Sequence, residues 1–242
     1  MGKFFIMANN HLTQWHSAYI KNAYRELEQG TTRKQLDALN IKATGKNVLD
    51  VGCGPGNHLV ILSKHSPKLL IGVDIDERFL TIGRSRMAKL IRPSSTRPSL
   101  VRASLPILPF ANNSFDLVTC FLVMPHVPDD KEALSELARV LKVGGTLAIS
   151  GHGLGFPLRY LKRLRIKPLQ MYLATIIYRL TKKKIIRNTL QNDKKMCQIL
   201  KSIGLTVDVL RHNKRVLGCV STYWIGATKM ETNGEVSPKA IQ

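Results

Sequence analysis

A single α/β domain built on a parallel sheet is what this chain predicts, on three observations. Short apolar runs of strand length alternate with stretches whose apolar residues fall at helical spacing. One such run ends in an acid and passes straight into a glycine-dense loop, Asp50-Val51-Gly52-Cys53-Gly54-Pro55-Gly56. The 242 residues, 44% of them hydrophobic, suffice for one well-buried domain and an appendage.

Taken in order, residues 11–40 read as helical, with Trp15, Tyr19, Ala23 and Leu27 spaced by four. Gly30-Thr31-Thr32 interrupts, and Thr32 is the expected cap of a second helix carrying Leu36 and Leu39. Lys46–Val51 is a strand, Asn57–His65 a helix, Leu69–Asp74 a strand and Glu77–Ile91 a helix. This alternation calls for parallel pairing through right-handed crossovers. Pro93, Pro98 and the serines between them mark a loop before a short strand, Leu100–Ala103. Phe115–Val123 is a strand, Asp129–Leu141 a helix and Gly145–Ser150 a strand. Their short, continuous apolar runs suit strands covered on both faces.

The pattern breaks at Gly151. From there to Leu190 the chain carries ten Lys and Arg and no Asp or Glu. Leu158, Leu161 and Leu164 give one apolar face. Leu169, Tyr172, Leu173, Ile176, Ile177 and Leu180 give a second. Both read as amphipathic helices with basic flanks, Arg159-to-Lys167 and Lys182-Lys183-Lys184. Asp193–Ile203 is then a helix stopped at Gly204, and Val207–Leu210 and Gly218–Ala227 are strands. Residues 230–242 read as a disordered polar tail.

The glycine loop is the stretch that carries chemistry. Strand, glycine loop and helix in that order form a nucleotide-like pocket, because glycine lets the backbone approach a ligand closely. The spacing is Gly-x-Gly-x-Gly after an acid, which differs from the Gly-x-Gly-x-x-Gly of dinucleotide binders. Asp50 to Gly56 resembles the first motif of class I S-adenosylmethionine-dependent methyltransferases, of the small-molecule, type 11-like kind. Leu108-Pro109-Phe110, Ser114-Phe115-Asp116 and Arg139-Val140-Leu141-Lys142-Val143-Gly144-Gly145 recur in the same order. The resemblance spans about Lys46 to Ser150.

That resemblance implies a Rossmann-like, seven-stranded, mostly parallel sheet with helices on both faces and the last strand antiparallel. It also implies three parts: an N-terminal helical cap over 1–45, a methyltransferase domain over 46–229 with a basic insert at 151–190, and a tail at 230–242. The implied cofactor is S-adenosyl-L-methionine, held by Asp50, Gly52, Cys53, Gly54, Gly56, Asp74, Ile75, Ser104 and Leu105. Asp50 serves the amino-acid end or orders the loop. Asp74 accepts the ribose hydroxyls, with Asp76 as the alternative. At the adenine end the chain departs from the family, with Ser104 where many members carry an acid. Val143 likewise replaces a proline in the last motif. In the family the N-terminal helices lie across the pocket mouth, which makes Trp15, Tyr19 and Tyr24 substrate-site candidates. Packing on the sheet is the competing role for each.

Methyl transfer from a sulfonium needs a base only when the acceptor must lose a proton. His126 and His152 follow the fourth and fifth strands, where open α/β sheets gather their ligands, and are the candidate bases; packing or loop-tethering is the competing role. His58 is expected to anchor backbone. Cys53, Cys120, Cys197 and Cys219 form no Cys-x-x-Cys pair, so the expectation is reduced, buried thiols and no metal site. No segment has the length of a signal core or a membrane span, and a cytoplasmic protein, peripheral to membranes at most, is expected.

The acceptor is bounded by what is missing. No Asn/Asp-Pro-Pro-Tyr motif follows the fourth strand, no Pro-Cys pair occurs, and the paired glutamates of arginine methylation are absent. A small molecule or lipid remains. The formal net charge of +21 adds an anionic partner. An anionic membrane surface under the basic insert is one candidate, against a solvated lid that merely packs over the site. RNA methylation through the basic surface is the alternative function, and a non-catalytic cofactor-binding module is the third.

Overall fold

The computed structural model describes residues 2–159, 167–181 and 189–231. Two helices lead, α1 (Gly2–Glu28) and α2 (Thr31–Ala38). The core follows as β1 (Asn47–Val51), α3 (Asn57–Leu62), β2 (Leu69–Asp74), α4 (Glu77–Leu90), β3 (Ser99–Arg102), β4 (Phe115–Phe121), α5 (Asp130–Val140) and β5 (Leu141–His152). Then come α6 (Lys167–Thr181), α7 (Asp193–Ser202), β6 (Leu205–Val216) and β7 (Cys219–Lys229).

All seven strands form one sheet in the order β3-β2-β1-β4-β5-β7-β6. The pairs from β3 to β5 are parallel, and β7 runs antiparallel between β5 and β6. This is the Rossmann-like arrangement the sequence predicts. Two apolar cores cover the two faces, one against α5 and α7, the other against α2, α3 and α4. The period of two along β1 assigns its side chains: Leu49 and Val51 enter the first core and Val48 the second. Asp50 therefore faces the side of α2 to α4.

Several boundaries differ from expectation for local reasons. The first helix begins at Gly2, not residue 11. Thr32 does not cap α2; Gly30, in the left-handed region at φ 69°, takes that place and Thr32 is buried inside the helix. The helix after the glycine loop tightens into a 3-10 turn at Ser63–His65. Strand β6 extends to Val216 because it pairs with β7 along nearly its whole length. Of the first basic helix expected in the insert, residues 160–166 lie outside the described residues, as do Lys182, Lys183, Lys184 and the tail from 232. Cys53 and Cys120 are buried, whereas Cys219, at the start of β7, is exposed. That corrects the expectation of a buried thiol there.

The chain returning from α6 is pinned by a buried polar knot. The Gln191 backbone N–H donates to His152 O at 2.8 Å, and its side chain donates to Asp130 Oδ1 at 3.0 Å. Tyr223 completes the knot by donating its hydroxyl to Gln191 Oε1 at 3.0 Å. All three side chains are nearly inaccessible, so their polar atoms are paired inside the protein. Gln191→Leu removes the hydrogen bonds to Asp130 and Tyr223, and urea unfolding is expected to show a loss of about 2–4 kcal/mol. A loss within experimental error would show that the knot does not hold the segment.

Candidate active site

The glycine loop is spliced onto the end of β2. The N–H groups of Gly52 and Cys53 both donate to Val73 O, at 2.7 and 2.9 Å. Asp74 then closes the splice: Gly54 N–H donates to its Oδ2 at 2.8 Å and Asp76 N–H to its Oδ1 at 2.9 Å. Both oxygens thus accept from the backbone and tie the loop to the end of the strand. Burial raises the Asp74 pKa, opposed by those backbone donors. Asp76 is committed elsewhere. It caps α4 by accepting from Arg78 N–H and pairs with His16 at 2.6 Å.

Gly52 cannot carry a side chain. Its φ is +70°, and a Cβ would lie 2.1 Å from Val123 Cγ2 at the end of β4. Gly54, at φ +52°, has the Tyr19 ring 3.5 Å from where its Cβ would stand. Helix α1 therefore lies directly over the loop. It is held by the His16–Asp76 pair, by packing of His16 and Tyr19 on Phe79 (ring centroids 5.0 Å apart in each case), and by Asn57 Nδ2 donating to Ala23 O at 2.8 Å. Tyr24 turns away to stack under the Arg86 guanidinium at 4.1 Å, which is a packing role. The Trp15 side chain lies outside the described residues. An open groove of about 420 Å³ between α1 and α4 is lined by His16, Glu77 and Thr81 among others, and no glycine-loop residue faces it.

Beneath the loop sits Asp50, 1% exposed. The Thr119 hydroxyl donates to its Oδ1 at 2.6 Å, while Oδ2 is buried with no partner among the described residues. Burial drives its pKa up to about 7, the Thr119 hydrogen bond working against the shift and Asp74 adding to it. An orphaned buried carboxylate oxygen beside a glycine cradle is what a cationic ligand group would satisfy.

At the far end of the pocket, Ile75 is 64% exposed while Leu105 is buried. The Ser104 hydroxyl donates to Leu105 O at 3.1 Å, so its oxygen keeps acceptor capacity. The following Leu108-Pro109-Phe110 segment is clamped from α5. Leu108 N–H donates to Glu136 Oε1 at 2.6 Å, and Arg139 donates to the carbonyls of Phe110 and Leu108 at 2.8 and 3.1 Å. The recurring motif is thus a structural strut.

His126 and His152 stand at the ends of adjacent strands. His152 stacks on Phe156, ring centroids 3.6 Å apart, and its Nδ1 is buried with no partner among the described residues. Burial, then the nearby His126 and Arg159, lower its pKa to about 4. It is a neutral hydrogen-bonding ring at pH 7 and a weak base. His126, the last residue of a 3-10 turn (Met124–His126), is exposed. His58 does not anchor backbone; it bonds Gln35 Oε1 at 3.1 Å and packs on Phe121. Thr119 and Glu136 lie outside every motif, and the motif that contains Arg139 does not show that it clamps the Leu108-Pro109-Phe110 segment. A hydroxyl inside the apolar run of β4 is the one signal that marks Thr119.

Fold and site together define a class, the Rossmann-like α/β proteins with a glycine loop after β1 and buried carboxylates beside it. Residues 49–149, somewhat less than half of the chain, match the family model described as "Methyltransferase domain". The methyltransferase GfsG of Streptomyces halstedii is 31% identical over 142 residues, 59% of this chain and 50% of that protein. Demethylmenaquinone methyltransferase of Shouchella clausii is 36% identical over 118 residues, covering 48% of this chain and 47% of that one. The chain thus spans about half the length of the curated relatives it matches. Magnesium protoporphyrin IX methyltransferase from Synechocystis, solved with bound SAH, shares the fold at a TM-score of 0.65. Its sequence identity is 18%, and the match covers 91% of this chain and 94% of that one.

Asp50 makes wild-type stability fall as pH rises from about 4 to about 7, because the folded state holds a proton that the unfolded chain has released. Asp50→Asn removes that slope. Urea unfolding at pH 5 and pH 8 is expected to show the variant gaining on wild type by on the order of 2 kcal/mol toward pH 8. A pH-independent difference would place the proton elsewhere.

Proposed function

We propose that the chain is an S-adenosylmethionine-dependent methyltransferase acting on a small-molecule or lipid acceptor. The observation that carries this is the pair of carboxylates framing the glycine loop, Asp74 bonded to its backbone and Asp50 buried beneath it with one oxygen unpartnered. When bound, the cofactor supplies a methyl group on a sulfonium, already activated for transfer. Gly52, Cys53, Gly54 and Gly56 bring backbone against it, and ionised Asp50 balances its positive amino-acid end. Asp74 takes the ribose hydroxyls, while Ile75, Leu105 and Ser104 take the base by apolar contact and one hydrogen bond.

The chain's main contribution is then orientation, with charge opposite charge in a pocket that α1 shields from water. The acceptor enters at the ends of β4 and β5. There His152 accepts or donates one hydrogen bond as a neutral ring, and His126 is the nearby group able to take a proton. Relatives named for menaquinone and protoporphyrin acceptors support a small molecule there.

Calorimetric titration with S-adenosylmethionine tests the site. Gly54→Arg and Asp74→Ala are each expected to weaken binding by about tenfold or more, and wild-type affinity in both would mean that the site lies elsewhere. Incubation with labelled donor and fractionated cell extract tests the acceptor class. Label is expected in the lipid or small-metabolite fraction, and label confined to RNA would contradict the proposal.

A further inference from the structure

Helix α6 wears its apolar stripe on the outside. Leu173, Ile176 and Leu180, spaced so that they share one face, are 54%, 51% and 79% exposed. The inward face holds Ala174 and Thr175 instead, both buried, with Thr175 accepting from Leu190 N–H at 2.8 Å. This is the reverse of an ordinary surface helix. Of the two readings the sequence leaves open for this stripe, it fits the exposed surface better than the lid that packs over the site.

The stripe continues onto two other elements. Tyr172 donates its hydroxyl to Leu154 O at 2.6 Å, which seats the loop after β5 beside α6. That loop is stitched in turn to the β6–β7 hairpin by Gly155 N–H donating to Val220 O at 2.8 Å. At the hairpin turn Leu217 is 81% exposed, and Leu154 is 37% exposed. Leucines and isoleucine from three segments linked by these hydrogen bonds thus face water, where a monomer ordinarily shows polar groups.

The stretch of chain that carries this helix is basic. Segment 151–190 contains ten basic and no acidic residues, with Lys182, Lys183 and Lys184 directly following α6 in sequence. Arg211 and Arg215 on β6 are exposed near the hairpin turn. A second copy of a chain with net charge +21 would be repelled from such a face. RNA would engage the lysines but leave the aliphatic stripe without a use, since single strands are held by exposed aromatic rings. Exposed aliphatic side chains in a basic stretch of chain suit an anionic bilayer surface. With 15 residues α6 is too short to span a membrane, which takes about 20. Among the described residues no helix is long and apolar enough to cross one.

We propose that α6, the loop at Leu154 and the hairpin turn at Leu217 form a docking face for an anionic lipid bilayer. The face surrounds the loop that leaves β5, two residues beyond His152, so docking sets the acceptor side of the site against the lipid. The docking goes beyond the reaction proposed above and does not depend on it.

The test is co-sedimentation of the full chain, without cofactor, with vesicles of phosphatidylcholine and vesicles of equal parts phosphatidylcholine and phosphatidylglycerol. Wild type is expected on the anionic vesicles alone, with binding that weakens as salt rises. The triple variant Leu173→Ser/Ile176→Ser/Leu180→Ser is expected to lose about tenfold or more of that binding, and Leu217→Ser, on an independent element, several-fold. Cofactor titration of the same variants reports whether they are folded and keeps failure of docking separate from failure of the methyltransferase reading. Absence of wild-type binding to anionic vesicles overturns the proposal, whether or not the chain binds RNA. Wild-type vesicle binding by both variants overturns it as well.

Discussion

Everything at the working end of this molecule depends on the splice between the glycine loop and β2. One carbonyl, Val73 O, receives two successive loop N–H groups, and one carboxylate, Asp74, receives a third. The loop is thereby fixed against a strand buried in the sheet, not suspended between β1 and α3. The close approach of Gly52 to Val123 follows from that fixation, and it couples the end of β4 to the loop. Leu122 pays for the fit with a left-handed backbone at φ 61°, stabilised by its N–H, which donates to both Ser150 Oγ and Ser150 O. Four strand ends are in this way made to meet within one pocket.

The buried charge follows from the same geometry. Because β1 alternates strictly, fixing Leu49 and Val51 in one core forces Asp50 toward the other face, under the loop. Among the described residues only Thr119 donates a hydrogen bond to it, so the carboxyl holds its proton to about pH 7. A site prepared in this way discriminates by charge before it discriminates by shape.

Local signals made much of this legible. The bounds of β2 follow from its apolar run, and the order of the strands follows from alternation with helices and from the resemblance of the motifs. The acidic positions at the ends of β1 and β2 are likewise local. What stayed hidden is tertiary. Glu136 and Arg139 look like an ordinary surface pair three residues apart on a helix, yet they clamp a segment nearly thirty residues away. His58 reads as a helix-start residue, and its partner Gln35 comes from another helix. Periodicity shows that α6 has an apolar stripe but not which way it turns. Direction depends on Thr175 and Leu190, whose hydrogen bond joins residues on either side of the basic run.

The central claim is that an ionisable Asp50 beneath the glycine loop meets the positive end of S-adenosylmethionine. The most direct measurement is the proton balance of cofactor binding, obtained by calorimetry at pH 7 in buffers of different ionisation heat. The account predicts net proton release by wild type, because a cation beside Asp50 lowers a pKa that stands at about 7 in the free protein. That release disappears in Asp50→Asn. Binding without proton release, or the same release from the variant, would contradict it.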